Sequence, residues 1–218
     1  MMRKMGIFGG TFDPVHWGHL LIAETALSQM RLDGVIWVPS PSPHYRKAAP
    51  LEHRWEMVQR AIADNPGFII APESVRRATS SYSIHTLTQL QAIYPHTHWY
   101  WILGLDSFET LPRWYRRREL VAACDWAIAP RFDFAGQTQE QAIAQIRIRC
   151  EQIAQQLASE YISINWHILH MPGVGISASL IRQYCRDRRS IRYLVPEPVR
   201  VYIATQNLYS SAERSAFG

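Results

Sequence analysis

The chain has 218 residues, of which 47% are hydrophobic and 19% charged, and it carries a formal net charge of +5 at pH 7. That composition suits one well-buried globular domain and excludes a disordered chain. No apolar run approaches the roughly eighteen residues a membrane helix needs, and the basic start at residues 1–5 is followed at once by Gly9, Gly10, Asp13 and Pro14, which argues against a signal peptide. The three cysteines, Cys124, Cys150 and Cys185, lie far apart without a C-x-x-C pair and read as free thiols of a reducing cytoplasm. The arginine clusters at 116–118 and at Arg186, Arg188, Arg189 and Arg192 are short and have acidic neighbours. They suit a solvated face or a phosphate pocket better than a nucleic-acid surface, which would need a basic stripe interleaved with aromatics.

Strand-like and helix-like patterns alternate along the chain. Residues 4–8 read as a short strand and 17–30 as a helix with Leu20, Ala23, Leu27 and Met30 on one face. A second strand over 34–38 is bounded by Pro39, Pro41 and Pro43. Trp55, Val58 and Ile62 give 51–64 a helical period, 68–71 follows as strand, and Ile84, Leu87, Leu90 and Ile93 make 83–93 a helix. The run 99–103 is continuously apolar or aromatic, as a central strand buried on both faces should be. A short helix then leads to a strand over 125–129.

A long helix is expected over 137–158, with Ile143, Ile146, Cys150, Ile153 and Leu157 forming a narrow seam. The seam either packs on its own domain or joins a second copy in a homo-oligomer. The remainder reads as strand over 162–171 and helices over 177–186 and 198–206. With no repeat or linker, residues 1–218 form a single domain with a small helical part at 177–210. The alternation predicts an α/β fold, a Rossmann-like doubly wound parallel sheet with helices on both faces. Ligands in such sheets bind outside the carboxyl ends of the strands, which draws attention to the loops after Phe8, Val38 and Leu103.

The first of these loops reads G-G-T-F-D-P-V-H-W-G-H from Gly9 to His19. Gly9 and Gly10 let backbone N–H groups approach a polyanion, Thr11 adds a hydroxyl donor, and His16 and His19 stand three residues apart at a helix start where phosphate is favoured. The segment is neither a Walker A loop nor the G-x-G-x-x-G fingerprint. A metal pair is the competing reading, since His167 and His170 repeat the spacing, but neither pair has a third ligand in a recognised pattern.

This segment resembles the signature of the H-x-G-H nucleotidyltransferase superfamily. A second signature of that superfamily, I-S-x-T-x-I-R, is similar to Ile176-Ser177-Ala178-Ser179-Leu180-Ile181-Arg182, with Ser179 in place of threonine. Physically, Ser177 suits a helix N-cap and Arg182 lies on the second turn, within reach of the same phosphates. Three further stretches resemble bacterial nicotinate-nucleotide adenylyltransferases. They are W-I-L-G-L-D-S-F-E-T-L-P-R-W-Y from Trp101 to Tyr115, S-S-Y-S-I-H-T-L from Ser80 to Leu87, and Y-L-V-P-E-P-V-R-V-Y-I from Tyr193 followed by Asn207-Leu208-Tyr209. The likeness covers nearly the whole chain except about 132–161.

The resemblance implies the nucleotidylyl transferase fold and adenylyl transfer from ATP to nicotinate mononucleotide, giving deamido-NAD and pyrophosphate in NAD biosynthesis. It implies catalytic roles for His16, His19 and Arg182, and ATP contacts from Gly9, Gly10, Thr11, Gly104, Asp106, Ser177 and Ser179. Trp114 would stack on the pyridine ring, and backbone groups near Tyr82, Ser83 and Tyr115 would hold its carboxylate. Where the family has P-P-H-K or P-P-H-R, this chain has Ser42-Pro43-His44-Tyr45-Arg46-Lys47, so either Arg46 or Lys47 would bind phosphate. Mg2+ would arrive with ATP. The alternatives are transfer to nicotinamide mononucleotide or phosphopantetheine, or a nucleotide-sensing module without turnover; no nucleic-acid or membrane partner is expected.

Overall fold

The computed structural model describes residues 2–41, 48–77, 82–130 and 138–210. In chain order the elements are β1 (Arg3–Gly10), α1 (Trp17–Gln29), β2 (Gly34–Pro39), α2 (Leu51–Ile62), β3 (Phe68–Ile70), α3 (Glu73–Arg76), α4 (Ser83–Ile93), β4 (Thr97–Gly104) and α5 (Leu105–Phe108). A 3-10 turn (Leu111–Arg113), α6 (Arg117–Ala123), β5 (Asp125–Ala129), α7 (Gln139–Ala158), β6 (Trp166–Ile168), α8 (Ala178–Arg186) and α9 (Glu197–Thr205) complete the described chain.

All five strand pairings are parallel, in the order β3-β2-β1-β4-β5-β6. The chain winds outward from β1 to β3, returns to the centre, and winds the other way from β4 to β6. The carboxyl ends of β1 and β4 therefore flank the point where strand order reverses, the natural ligand crevice of such a sheet.

Alternation along the central strands divides the apolar residues between two cores. Met5 and Ile7 of β1, with Trp99, Trp101 and Leu103 of β4, face the first. There they meet Leu87 and Leu90 of α4, Phe108 of α5, Leu120 of α6 and Ile146 and Cys150 of α7. Phe8, Trp37, Tyr100 and Ile102 face the second, against Ala23 and Ala26 of α1, Met57 and Val58 of α2, Ile181 of α8 and Val199 and Ile203 of α9. Helices thus cover both faces, and all six residues of β2 are buried, as a central parallel strand requires.

The seam foreseen on the long helix is consumed by its own domain. Ile146, Cys150 and Leu157 are buried in the first core, and Ile153 packs against it. Thr138 caps α7 reciprocally: its hydroxyl accepts from the Gln141 amide at 3.3 Å, and its own amide donates to the Gln141 side chain at 3.0 Å. Gln137, the expected first residue of the helix, lies outside the described residues.

Two boundaries differ from the sequence reading. The strand expected over 162–171 pairs only at Trp166–Ile168, although Ile162, Leu169 and Met171 are buried. Hydrophobicity there reports burial beneath the sheet edge rather than ladder pairing. The last helix runs Glu197–Thr205, with Pro198 inside its first turn, where a missing N–H costs nothing. Among the described residues no helix is long and apolar enough to cross a membrane.

Candidate active site

The loop between β1 and α1 is drawn into the second core. Phe12, Asp13, Val15 and His16 are all buried. Phe12 takes a left-handed backbone conformation (φ 50°) and folds its ring back over Gly10, where a Cβ would lie 2.9 Å from the ring. Gly10 thus admits an aromatic floor: the Phe12 ring lies 5.3 Å from Phe8, 5.3 Å from Trp37 and 5.1 Å from His19.

His19 rests on that floor and His16 stacks on His19, with centroids 3.8 Å apart and an interplanar angle of 28°. His16 is the extended N-cap of α1 and His19 lies in its first turn, so the two rings meet at the positive end of the helix dipole. A Cβ on Gly18 would sit 3.0 Å from the His16 ring, so glycine is what lets the imidazole lie there. The His16 amide donates to Nδ1 of His19 at 3.2 Å, which leaves Nε2 of His19 as its N–H donor.

Burial pushes His16 down to about 4 and His19 well below its ordinary value, with the neighbouring His16 adding to the effect. Both rings are neutral at pH 7. Nδ1 of His16 is buried at the start of α1, on the side of the His19 amide.

The second signature segment comes up against the first. The carbonyl of Ile176 lies 3.8 Å from the Cβ position of Gly18. Ser177 caps α8 by accepting from the Leu180 amide at 3.2 Å, and its hydroxyl lies 3.0 Å from that of Ser179. Nη1 of Arg182 donates to the backbone carbonyl of Asp13 at 2.6 Å and lies 3.6 Å from Oδ2 of the Asp13 carboxylate. Gly9 ends β1 beside Gly10, and Thr11 is half-buried, its carbonyl receiving Nη1 of Arg54 at 2.8 Å. At the end of β4, Gly104 is exposed with no atom within 4 Å of its Cβ position, and Asp106 is exposed in the first turn of α5.

On the other side of β4 the surface is aromatic. Tyr82 and Tyr115 are both about half exposed, with ring centroids 4.6 Å apart. His85 meets both edge-on, at 5.9 Å and 6.0 Å. Tyr82 is the extended N-cap of α4 and its side chain does not cap the helix, and a helix N-terminus beginning at Ser83 is a setting suited to a carboxylate. Trp114 is half-buried, packed edge-on to Trp101 at 6.3 Å and Trp126 at 6.0 Å, and its indole N–H donates to the Thr110 hydroxyl at 2.8 Å. Arg46 and Lys47 lie outside the described residues.

Residues 7–184 match the model of the cytidylyltransferase-like family. A protein of Trichormus variabilis named probable nicotinate-nucleotide adenylyltransferase is 54% identical over 96% of this chain and 98% of its own length. One of the same name from Synechococcus sp. (strain JA-2-3B'a(2-13)) is 40% identical over 95% of this chain and 97% of its own. The chain belongs to the nicotinate-nucleotide adenylyltransferase family. Its fold is also that of the Plasmodium falciparum nicotinic acid mononucleotide adenylyltransferase solved with NaAD, at a TM-score of 0.70, 16% identity, and coverage of 95% of this chain and 97% of that one.

For an adenylyltransferase of this family, three supporting side chains escaped the sequence reading. Asp13, Arg54 and Tyr209 tie the histidine loop to α2 and to the end of the chain. Arg54 donates through Nε to the Ala49 carbonyl at 2.8 Å as well as to Thr11, and Tyr209 donates its O–H to Oδ1 of Asp13 at 2.7 Å. Arg54 carried one readable signal. It falls three and four residues before Met57 and Val58, so it lies within the apolar stripe of α2, where a cation has to be satisfied internally. Tyr209 ends the Asn207-Leu208-Tyr209 stretch that carries the resemblance, but nothing there points to its partner, 196 residues away.

Proposed function

We propose that adenylyl transfer from ATP to nicotinate mononucleotide takes place over the N-terminus of α1, by direct in-line displacement. An oxygen of the acceptor's 5′-phosphate forms the new bond to the α-phosphorus. The bond to the bridging oxygen breaks, and its electron pair leaves with pyrophosphate. A phosphate monoester is already ionised at pH 7, so no protein base is needed. No cysteine is a candidate nucleophile either, since burial pushes the Cys150 thiol up to about 12 and raises those of Cys124 and Cys185.

The observation that carries this reading is the stacked, neutral His16–His19 pair at a helix N-terminus, with Arg182 anchored beside it. Neutral imidazoles offer N–H donors to phosphate oxygens, and the charge that develops on the departing group favours those donors more than the ground state does. Arg182 and Thr11 complete the donor set, with Gly9, Gly10, Ser177 and Ser179 lining the phosphate path and Gly104 and Asp106 placed toward ribose. Arg46 or Lys47 supplies a further cation.

On the acceptor side, Trp114, partly buried against the first core, stacks on the pyridine ring. Amides near Ser83 and Tyr115 take the carboxylate. Mg2+ would arrive with ATP, held mostly by its phosphates and water. When bound it neutralises phosphate charge. The three free cysteines suit a reducing cytoplasm.

Acceptor profiling tests the assignment. Pyrophosphate release from ATP should be fastest with nicotinate mononucleotide, slower with nicotinamide mononucleotide and slowest with phosphopantetheine. Nicotinate mononucleotide as the poorest of the three would overturn the acceptor, and no release with any would favour a sensing module.

A further inference from the structure

Asp13 is the only carboxylate among the buried described residues, 1% exposed. A carboxylate held so deep is costly unless its oxygens are partnered. Oδ1 accepts from the Ala49 amide at 3.1 Å and from the Tyr209 hydroxyl at 2.7 Å. Oδ2 faces Nη1 of Arg182 at 3.6 Å, beyond a direct hydrogen bond, while that same nitrogen donates to the Asp13 carbonyl at 2.6 Å. Arg182 is therefore held by a neutral backbone acceptor beside a carboxylate that attracts it without closing on it.

The partners of Oδ1 are themselves fixed from two directions. Ala49 is gripped through its carbonyl by Arg54, which also holds the carbonyl of Thr11. Tyr209 follows α9, whose Val199 and Ile203 are buried in the second core with Met57 and Val58 of α2. The two helices are pinned further by the contact between His53 Nδ1 and the Tyr202 hydroxyl at 2.9 Å and by Arg60 over the Tyr202 ring at 4.7 Å. The Leu208 amide returns to the Ile203 carbonyl at 3.0 Å, and Tyr209 takes a left-handed conformation (φ 62°) that turns the chain after α9. The end of the described chain is thus wired to the loop that carries His16.

We propose that Tyr209 is a positioning residue for adenylyl transfer. Its hydroxyl satisfies Oδ1 of Asp13, so that Arg182 stays anchored on the loop carbonyl and is not drawn into a full ion pair with the carboxylate. Removing that hydroxyl takes one donor from the buried carboxylate, whose other oxygen stands 3.6 Å from the guanidinium that the reaction uses. The proposal rests on the assignment of Arg182 to the ATP phosphates.

The test is a double-mutant cycle of Tyr209→Phe and Arg182→Lys, read as kcat, KM for ATP and KM for nicotinate mononucleotide. Tyr209→Phe keeps the ring, and melting temperatures report whether the fold is retained. We expect Tyr209→Phe to lower kcat about tenfold, the order set by one charge-assisted hydrogen bond, with KM for nicotinate mononucleotide unchanged. In the Arg182→Lys background the same change should cost little more, because the group it acts through has already been altered. An equal loss in both backgrounds would reveal a merely structural role and overturn the proposal, as would wild-type kcat in Tyr209→Phe. Wild-type kcat in Arg182→Lys alone would instead remove the assignment of Arg182. Should Tyr209→Phe prove unfolded at the assay temperature, p-aminophenylalanine at 209 restores a donor on the same ring. Near-wild-type kcat and melting temperature then support the proposal, and a folded protein with low kcat counts against it.

Discussion

His16 and His19 stand at the edge of the second core, stacked on each other, with His19 against Phe8 and Phe12. Across β4, Tyr82 and Tyr115 face each other at 4.6 Å with about half of each ring in solvent. The side proposed for ATP is thus built around a buried histidine loop, and the side proposed for the acceptor from a surface platform in front of a buried tryptophan array. Donors that stabilise developing charge need rigid placement in a water-poor setting, whereas a flat ring needs only an aromatic face. Losses on the first side should therefore appear in kcat, and losses on the second in KM for the acceptor.

The largest expected effect is His16→Ala, which should lower kcat by about 100- to 1,000-fold while the fold survives. Stopped-flow or steady-state pyrophosphate release checks it, and near-wild-type turnover would break the contrast between the two sides at its strongest point.

The next effect is on stability against pH. A histidine held below its ordinary value of 6.5 binds protons more readily in the unfolded chain, so stability rises with pH between the two values. For His16 the window runs from 6.5 down to about 4: its contribution is intact above 6.5 and is lost as pH falls toward 4. The loss is on the order of 3 kcal/mol, and His19 acts in the same direction. Urea unfolding at pH 7 and pH 4.5 should show this, and His16→Ala should flatten part of the slope. An unchanged slope in the variant would mean that His16 is not the buried neutral group described.

The same contrast explains what the sequence could and could not disclose. Helical spacing, as at Leu87/Leu90, alternating with strand-like runs, as at Trp99–Leu103, was enough to predict a parallel sheet covered on both faces, and the sheet has that form. Within the site, His16, His19, Ser177 and Arg182 are brought together, because both signature segments are local and each begins a helix. Asp13 and Tyr209 stand in stretches that carry the resemblance, but their contacts and that of Arg54 with Thr11 span 36 to 196 residues, and no local pattern names such partners. Trp114 shows a different limit. Its P-x-W-Y context pointed to ring stacking, and the structure makes it half core, packed on Trp101 and Trp126 and hydrogen-bonded to Thr110.

That dual role sets the third prediction. Trp114→Ala should raise KM for nicotinate mononucleotide by roughly tenfold or more, the size of one ring–aromatic stacking contact, and should also lower the melting temperature by opening a gap beside Trp126. Trp114→Phe separates the two, keeping an aromatic face while losing the bond to Thr110. It should recover much of the acceptor affinity, with KM for ATP close to wild type in both variants. An equal rise in KM for ATP and for the acceptor would show that Trp114 supports the whole site and not the acceptor side.

The smallest effect is the most informative about the platform itself. Tyr82→Ala removes one partner of an exposed aromatic pair, a contact worth about 0.5–1.5 kcal/mol, so KM for the acceptor should rise only a few-fold. Because Tyr82 is 53% exposed, the melting temperature should barely move, in contrast to any truncation on the buried side. The carboxylate contact assigned to the amides at the start of α4 should persist, since it does not depend on the Tyr82 side chain. The preference for nicotinate over nicotinamide mononucleotide should therefore be the same in the variant as in the parent. Loss of that preference would locate acid recognition in the aromatic pair instead of the helix N-terminus, and the acceptor side would then be as specifically built as the histidine loop opposite it.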